Sequence, residues 1–242
     1  MTVLILGATS DMAVALAKVL SARGHSLQLA ARDTSYLLSL KSDLEIRNQN
    51  IVSVHTIDAL GFETHDSFYD SLPVKPDVAV VFFGYLGDAT KAQTDWDECK
   101  LVIDTNYTGA VSILNVIAND FENRRTGIIV GVSSVAGDRG RMSNYIYGSA
   151  KAGFSTYLSG LRNRLFHSNV HVVTVKPGFV RTQMTEGLKL PPVITGEPIQ
   201  VATAILAAIQ KRKNTVYVLP IWAAIMFVIK NIPEAIFKRL KL

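Results

Sequence analysis

The sequence predicts an α/β fold: a single doubly wound parallel sheet of about seven strands with helices on both faces. Three observations carry this. Short apolar, β-branched runs alternate with longer amphipathic stretches, the signature of strands buried on both faces and joined by helical crossovers. The chain has 242 residues, 48% of them hydrophobic, which suits one large core. The first apolar run ends at Gly7 and opens directly into a helix-like segment.

In order, the predicted strands are TVLIL (2–6), SLQLAA (26–31), IVSVHTI (51–57), DVAVVFF (77–83), GIIVGVS (127–133), VHVVTV (170–175) and TVYVL (215–219). The clearest predicted helices are 11–23, a long one at 94–119, and 145–167. Right-handed crossovers place the ligand edge at the carboxyl ends of the strands. Residues 1–219 form the predicted main domain, with a loop-like segment at 182–198, and 220–242 form an apolar and basic extension.

Composition excludes several classes. The net charge of +5 is spread too evenly for a nucleic-acid stripe, so no nucleic-acid partner is expected. Cys99 is the only cysteine, so no internal disulfide or CxxC metal site is available, and the five histidines form no HExxH pair; no metal is expected. A reducing cytoplasm fits this usage. The opening MTVLIL reaches Gly7 too soon for a signal-peptide core.

The turn LGATSDMA (6–13) is a candidate phosphate cradle. Gly7 permits a tight turn, Thr9 and Ser10 offer hydroxyls, and the free N–H groups of a helix start attract phosphate; Met12 belongs to the same set of contacts. Ala13 is small enough for close helix–sheet contact. Asp11 would repel a pyrophosphate unless its side chain caps its own helix. After the second strand comes AARD, where Arg32 can pair with a 2′-phosphate, pointing to NADP(H) over NAD(H). Asp33 beside it can cap the next helix.

In YIYGSAK (145–151), Tyr147 and Lys151 stand four apart and share one helix face, whereas Tyr145 points elsewhere. A nearby ammonium favours the phenolate, so the expectation is a Tyr147 pKa below the ordinary value of about 10. Ser134 lies thirteen residues before Tyr147, and Asn106 twenty-eight before Ser134.

With NYTG from Asn106, VSSVAG from Val132 and PGFVRT from Pro177, the chain resembles the short-chain dehydrogenase/reductase family, whose fold is of the Rossmann type; the resemblance runs from Gly7 through Thr182. It implies a catalytic tetrad of Asn106, Ser134, Tyr147 and Lys151. Tyr147 would be the general acid in reduction and base in oxidation, and Ser134 would hold the substrate oxygen. Lys151 would also hold the nicotinamide ribose, and Asn106 would position a water. The resemblance further implies cofactor contacts at Asp58, Gly84, Pro177, Gly178, Val180 and Thr182, with Gly178 admitting the nicotinamide ring. Gly84 matches the last position of the family's Asn-Asn-Ala-Gly turn, but Val81, Phe82 and Phe83 stand where its first three residues would be. The implied activity is NADP(H)-dependent interconversion of a carbonyl and a secondary alcohol. The alternative is a non-catalytic dinucleotide-binding sensor or scaffold. A homodimer or homotetramer is the implied assembly.

In 182–198, Met184, Leu188 and Leu190 suit an apolar lid with Gly187 as a hinge, while Leu188 and Leu190 equally suit core anchors for a long connection. IWAAIMFVI (221–229) is apolar on every side and too short to span a bilayer, so burial is expected. Beyond it, Lys230, Lys238, Arg239 and Lys241 alternate with Ile232, Ile236, Phe237, Leu240 and Leu242. Apolar surface with clustered cations is the pattern of an interfacial anchor, so 221–242 is a candidate peripheral membrane contact and the substrate is expected to be lipid-like or lipid-linked. The LGxTS turn and this tail are similar to family members that reduce polyprenyl-phosphate-linked keto sugars.

Overall fold

The computed structural model describes residues 1–240; Lys241 and Leu242 of the basic tail lie outside the described residues. The chain runs β1 (Thr2–Leu6), α1 (Asp11–Ser21), β2 (Ser26–Ala31), α2 (Ser35–Asn48), β3 (Val52–Thr56), α3 (His65–Asp70), β4 (Val78–Val81), α4 (Trp96–Ile103), α5 (Gly109–Arg124), β5 (Gly127–Val132) and α6 (Tyr145–Leu165). It continues through β6 (Val170–Lys176), β7 (Phe179–Val180), β8 (Thr195–Gly196), α7 (Pro198–Gln210), β9 (Thr215–Tyr217), α8 (Pro220–Asn231) and α9 (Glu234–Phe237).

Seven parallel strands form one sheet in the order β3-β2-β1-β4-β5-β6-β9. Alternate strand residues face two separate cores, which is why the strands read as continuous apolar runs. Val3 and Ile5 join a core with α1, α2 and α7, through Leu16, Leu20, Leu40 and Ile205. Leu4 and Leu6 join the opposite core with α3, α5 and α6, through Phe68, Ile113, Phe121 and Phe154. The strand order reverses between β1 and β4, so a crevice opens there at the carboxyl edge. All seven predicted strands are present, four of them one to three residues shorter than expected.

The helix predicted at 94–119 is not one regular helix. A π-helical turn, Asp104–Thr108, separates α4 from α5. Asn106 sits inside that turn with its side chain fully buried. Its Nδ2 donates to the carbonyls of Val102 (2.8 Å) and Tyr85 (2.6 Å), and its Oδ1 accepts from the Tyr85 N–H (3.3 Å). A side chain that claims a helix carbonyl widens the ladder locally.

The segment after β6 is closed by the short parallel pair β7–β8, and Gly187 within it has a φ of 83°. Leu188 is 52% exposed, so it is not a core anchor, and Met184 is exposed beside it (42%). The expectation that 221–229 is buried is corrected: only Trp222 and Met226 are, in a third small core with Val135. Phe227 (72%) and Val228 (61%) stand in solvent, because α8 lies on the body along a single stripe. Arg139 fastens the end of α8 and its turn into α9. It donates to the carbonyls of Ile229 and Ile232 (2.6 Å each), pairs with Glu234 (2.9 Å) and stacks on the Phe237 ring.

Candidate active site

Two adjoining depressions occupy the carboxyl edge of the sheet. A groove of about 410 Å³ is lined by Gly7, Thr9, Ser10, Met12, Arg32, Asp58 and Gly84, among others. A cleft of about 610 Å³ is lined by Ser134, Tyr147, Pro177, Gly178 and Val180, among others. Met12, Thr182 and Met184 line both, so the two are continuous. The residues singled out in the sequence therefore converge: most cofactor candidates in the groove, and the hydroxyl-bearing pair in the cleft together with Pro177, Gly178 and Val180. Asn106 and Lys151 line neither; both are buried, at 0% and 3% exposure, immediately behind the wall.

The groove starts where β1 turns into α1. Gly7 has a φ of 77°, and a Cβ there would stand 3.2 Å from the Phe82 carbonyl carbon. Only glycine tolerates both constraints. Ser10 is the N-cap of α1 but makes no side-chain cap bond, so its hydroxyl and the helix start are free to meet an anion. Asp11 does not cap its own helix. Its Oδ2 accepts from the Gln183 N–H at 2.8 Å, tying the start of the 182–198 segment to the start of α1. Arg32 is exposed at the end of β2 and has no ion pair among the described residues. Asp33 accepts the Ser35 N–H (2.9 Å) at the head of α2, the capping role expected of it. Asp58 folds over its own turn, accepting the Leu60 N–H (3.0 Å).

Phe82 and Phe83, which replace the family's polar turn, are buried in the two main cores, one each. The Phe83 carbonyl accepts from Lys151 Nζ at 3.1 Å, and the Val132 carbonyl does so at 3.3 Å. Main-chain oxygens at the ends of β4 and β5 thus hold the lysine. Gly84 keeps the space beside it open: a Cβ there would stand 3.6 Å from Asn106 Oδ1 and 3.8 Å from Lys151 Nζ.

Ser134 and Tyr147 meet because α6 packs closely on the 135–137 turn. A Cβ on Gly137 would lie 2.7 Å from the Ala152 nitrogen, and one on Gly148 2.9 Å from the Ala136 oxygen. Ser133 reinforces the contact by donating to the Lys151 carbonyl at 2.9 Å. The Lys151 Nζ lies 5.8 Å from the centre of the Tyr147 ring. Tyr145 does not point away altogether; it borders the cleft at its rim, 46% exposed.

The expected low Tyr147 pKa is corrected. Burial pushes the phenol up to about 12, and the hydrogen bond from Ser134 only partly offsets this. Burial also brings Lys151 down to about 7, so it is a weak source of positive charge at neutral pH. Gly178 lines the cleft, and its missing side chain also makes room for a neighbour. A Cβ there would lie 2.0 Å from the Trp222 indole, so what approaches Gly178 is the tryptophan of α8. Trp222, whose Nε1 donates to the Ile194 carbonyl (2.9 Å), is a wall of the cleft that sequence reasoning placed in the tail. Arg141 was also missed, since no motif marks it.

A dinucleotide-type sheet, a phosphate-ready turn at its switch point, and a serine–tyrosine pair over a buried lysine define an oxidoreductase of the nicotinamide-dependent kind. The comparisons agree. Residues 1–191 match the family described as short chain dehydrogenase. An uncharacterized oxidoreductase of Mycobacterium tuberculosis (strain ATCC 25618 / H37Rv) is 35% identical over 244 residues, covering 98% of this chain and 96% of the relative. An uncharacterized oxidoreductase of Streptomyces coelicolor is 33% identical, covering 99% and 95%. Among solved structures, a short-chain dehydrogenase from Sphingobium yanoikuyae in complex with NADPH superposes with a TM-score of 0.83 at 23% identity, covering 97% of each chain. One from Burkholderia cenocepacia J2315 in complex with NADP gives 0.83 at 19% identity, covering 100% of this chain and 97% of that one. The chain belongs to the short-chain dehydrogenase family.

Proposed function

We propose that the chain is an NADP(H)-dependent reductase or dehydrogenase that interconverts a carbonyl and a secondary alcohol, acting on a lipid-like substrate. The observation that carries this is the convergence of Ser134 and Tyr147 on one cleft, with Lys151 behind it and the groove of the α1 turn beside it. The groove residues fit a dinucleotide: an uncapped helix start for the pyrophosphate, the gap at Gly84, and Arg32 free for a 2′-phosphate. When bound, that cofactor supplies or accepts the hydride at the substrate carbon.

The chain's own residues handle the proton and the oxygen. Ser134 Oγ accepts the Ala136 N–H at 3.1 Å, and its one hydrogen, which faces Tyr147, can turn to a substrate oxygen when one is bound. A phenol at about 12 is protonated at neutral pH, the state that reduction requires of Tyr147 as general acid. Oxidation requires the phenolate, which the ammonium form of Lys151 would stabilise. With Lys151 near 7, a modest change in its surroundings selects that form. Asn106, by fixing Tyr85 and the π-helical turn, positions the wall between lysine and groove. The apolar lining of the cleft, with Leu86, Phe179 and Trp222, favours a substrate with an apolar body.

The test is to titrate wild type and Tyr147→Phe with NADPH and NADH by calorimetry, then screen ketone reduction. The expected result is NADPH bound at least about ten-fold tighter than NADH. Tyr147→Phe should bind NADPH as wild type does and lose turnover by about 100-fold or more. Surviving turnover in this variant would remove Tyr147 from the mechanism.

A further inference from the structure

We propose that the cleft contains an anion-reading subsite built on Arg141, so that the substrate carries a carboxylate or phosphate beside its apolar body. This rests on the proposal that the cleft takes the substrate.

Among the described residues, only two charged side chains line the cleft, Asp88 and Arg141. Asp88 is already engaged. Its carboxylate accepts the N–H groups of Thr90 (2.8 Å) and Lys91 (3.0 Å) and closes its own loop. Arg141 has neither an ion pair nor a side-chain hydrogen bond among the described residues, and its Nε is sealed from solvent without a partner. The neighbouring carboxylate, Asp138, is held by Lys176 and by the Tyr217 hydroxyl (2.5 Å). Burial in this apolar cleft works against the guanidinium's charge, and the Asp138 carboxylate, with which it makes no ion pair, offsets only part of that cost. Structural need does not explain it. Arg139, two residues earlier, does the structural work by fastening Ile229, Ile232 and Glu234.

The surroundings have the same preference. Asn144 lines the cleft as the N-cap of α6, yet its side chain makes no cap bond and its Oδ1 is buried without a partner. That oxygen is an acceptor and would meet a donor, not the anion itself; because it makes no cap bond, the first N–H groups of α6 stay open on the same wall as the cation. The start of the 21-residue helix α6 adds positive potential there. An oxyanion suits this setting, because a guanidinium can take two of its oxygens at once.

Three probes of equal chain length separate the possibilities: octyl phosphate, octanoate and octan-1-ol, titrated by calorimetry into protein saturated with NADPH so that the groove is filled. The expected result is that at least one anion binds about ten- to a hundred-fold tighter than the alcohol, the range of a charge-assisted hydrogen bond. Whichever anion binds tighter identifies the group that is read. Arg141→Gln should abolish the preference and leave the NADPH affinity unchanged, which also shows that the variant is folded. Arg141→Lys should keep part of the preference, since it retains the charge without the planar fork. Equal affinity for all three probes, or an anion preference that persists in Arg141→Gln, overturns the proposal. If NADPH itself does not bind, the reductase reading fails, while the same titrations on the protein alone still decide the subsite.

Discussion

Lys151 ends in the core behind the wall of the cleft, where, among the described residues, only the carbonyls of Phe83 and Val132 replace water around its nitrogen. Its pKa therefore falls from 10.5 to about 7. The sign comes from proton counting. Between about 7 and 10.5 the unfolded chain holds a proton that the folded chain lacks, so stability rises with pH. The slope from this one group approaches about 1.4 kcal/mol per pH unit. Tyr147 has the opposite sign, but only above its unfolded value of 10. Denaturant unfolding of the cofactor-free protein at pH 7, 8 and 9 should show Lys151→Met gaining most over wild type at pH 7, with the gap narrowing as pH rises. Parallel profiles would mean that the lysine is solvated. The spacing of Tyr147 and Lys151 made their proximity legible in the sequence. It could not show the dielectric around them, which is set by residues far away in the chain, and so the expected direction of the tyrosine shift was reversed.

At the level of elements, the strands were legible because burial on both faces leaves an unbroken apolar run, as in Val78–Val81. The division of the long helix was not. Asn106 breaks it through a hydrogen bond to the carbonyl of Tyr85, twenty-one residues away, and no local pattern encodes that. The same limit applies to Asp11. Its discord with a phosphate cradle is visible in the sequence, but its partner, Gln183, is 172 residues distant. The contact joins the α1 turn to the segment that bears Met184 and Leu188, so one carboxylate both opposes an anion and tethers that segment. Asp11→Gly should separate these effects. NADPH affinity should rise by about five-fold, as expected on removing one like charge at a partly exposed site. Tryptic cleavage after the exposed Lys189 should become faster, because the segment loses its tether. Weaker NADPH binding would show that Asp11 organises the cradle instead of opposing it.

Across the whole molecule, the charge is +5 without a single dominant stripe, yet cations and apolar groups coincide at one place. On α8 and beyond, Ile221, Phe227, Val228, Ile236 and Leu240 are exposed, and Lys230, Lys238 and Arg239 lie among them. The apolar run was plain in the sequence, but which of its sides met the body depended on Trp222 finding the space over Gly178. Apolar side chains that enter the headgroup region, helped by cations worth about 1 kcal/mol each near an anionic leaflet, give a weak and reversible anchor. The protein should co-sediment with vesicles of phosphatidylserine and phosphatidylcholine, should not with phosphatidylcholine alone, and should be released as salt screens the charges. Changing Phe227 and Val228 together to Ser should abolish binding and leave the melting temperature nearly unchanged, because neither side chain is buried. Equal binding to neutral vesicles would remove the cations from the account. Absence of binding, with a dimer lost in the same double variant, would assign this face to a second copy of the chain. Vesicle binding would instead put α8, the helix that walls the cleft with Trp222, on the lipid surface, where a substrate with an apolar body would already be concentrated.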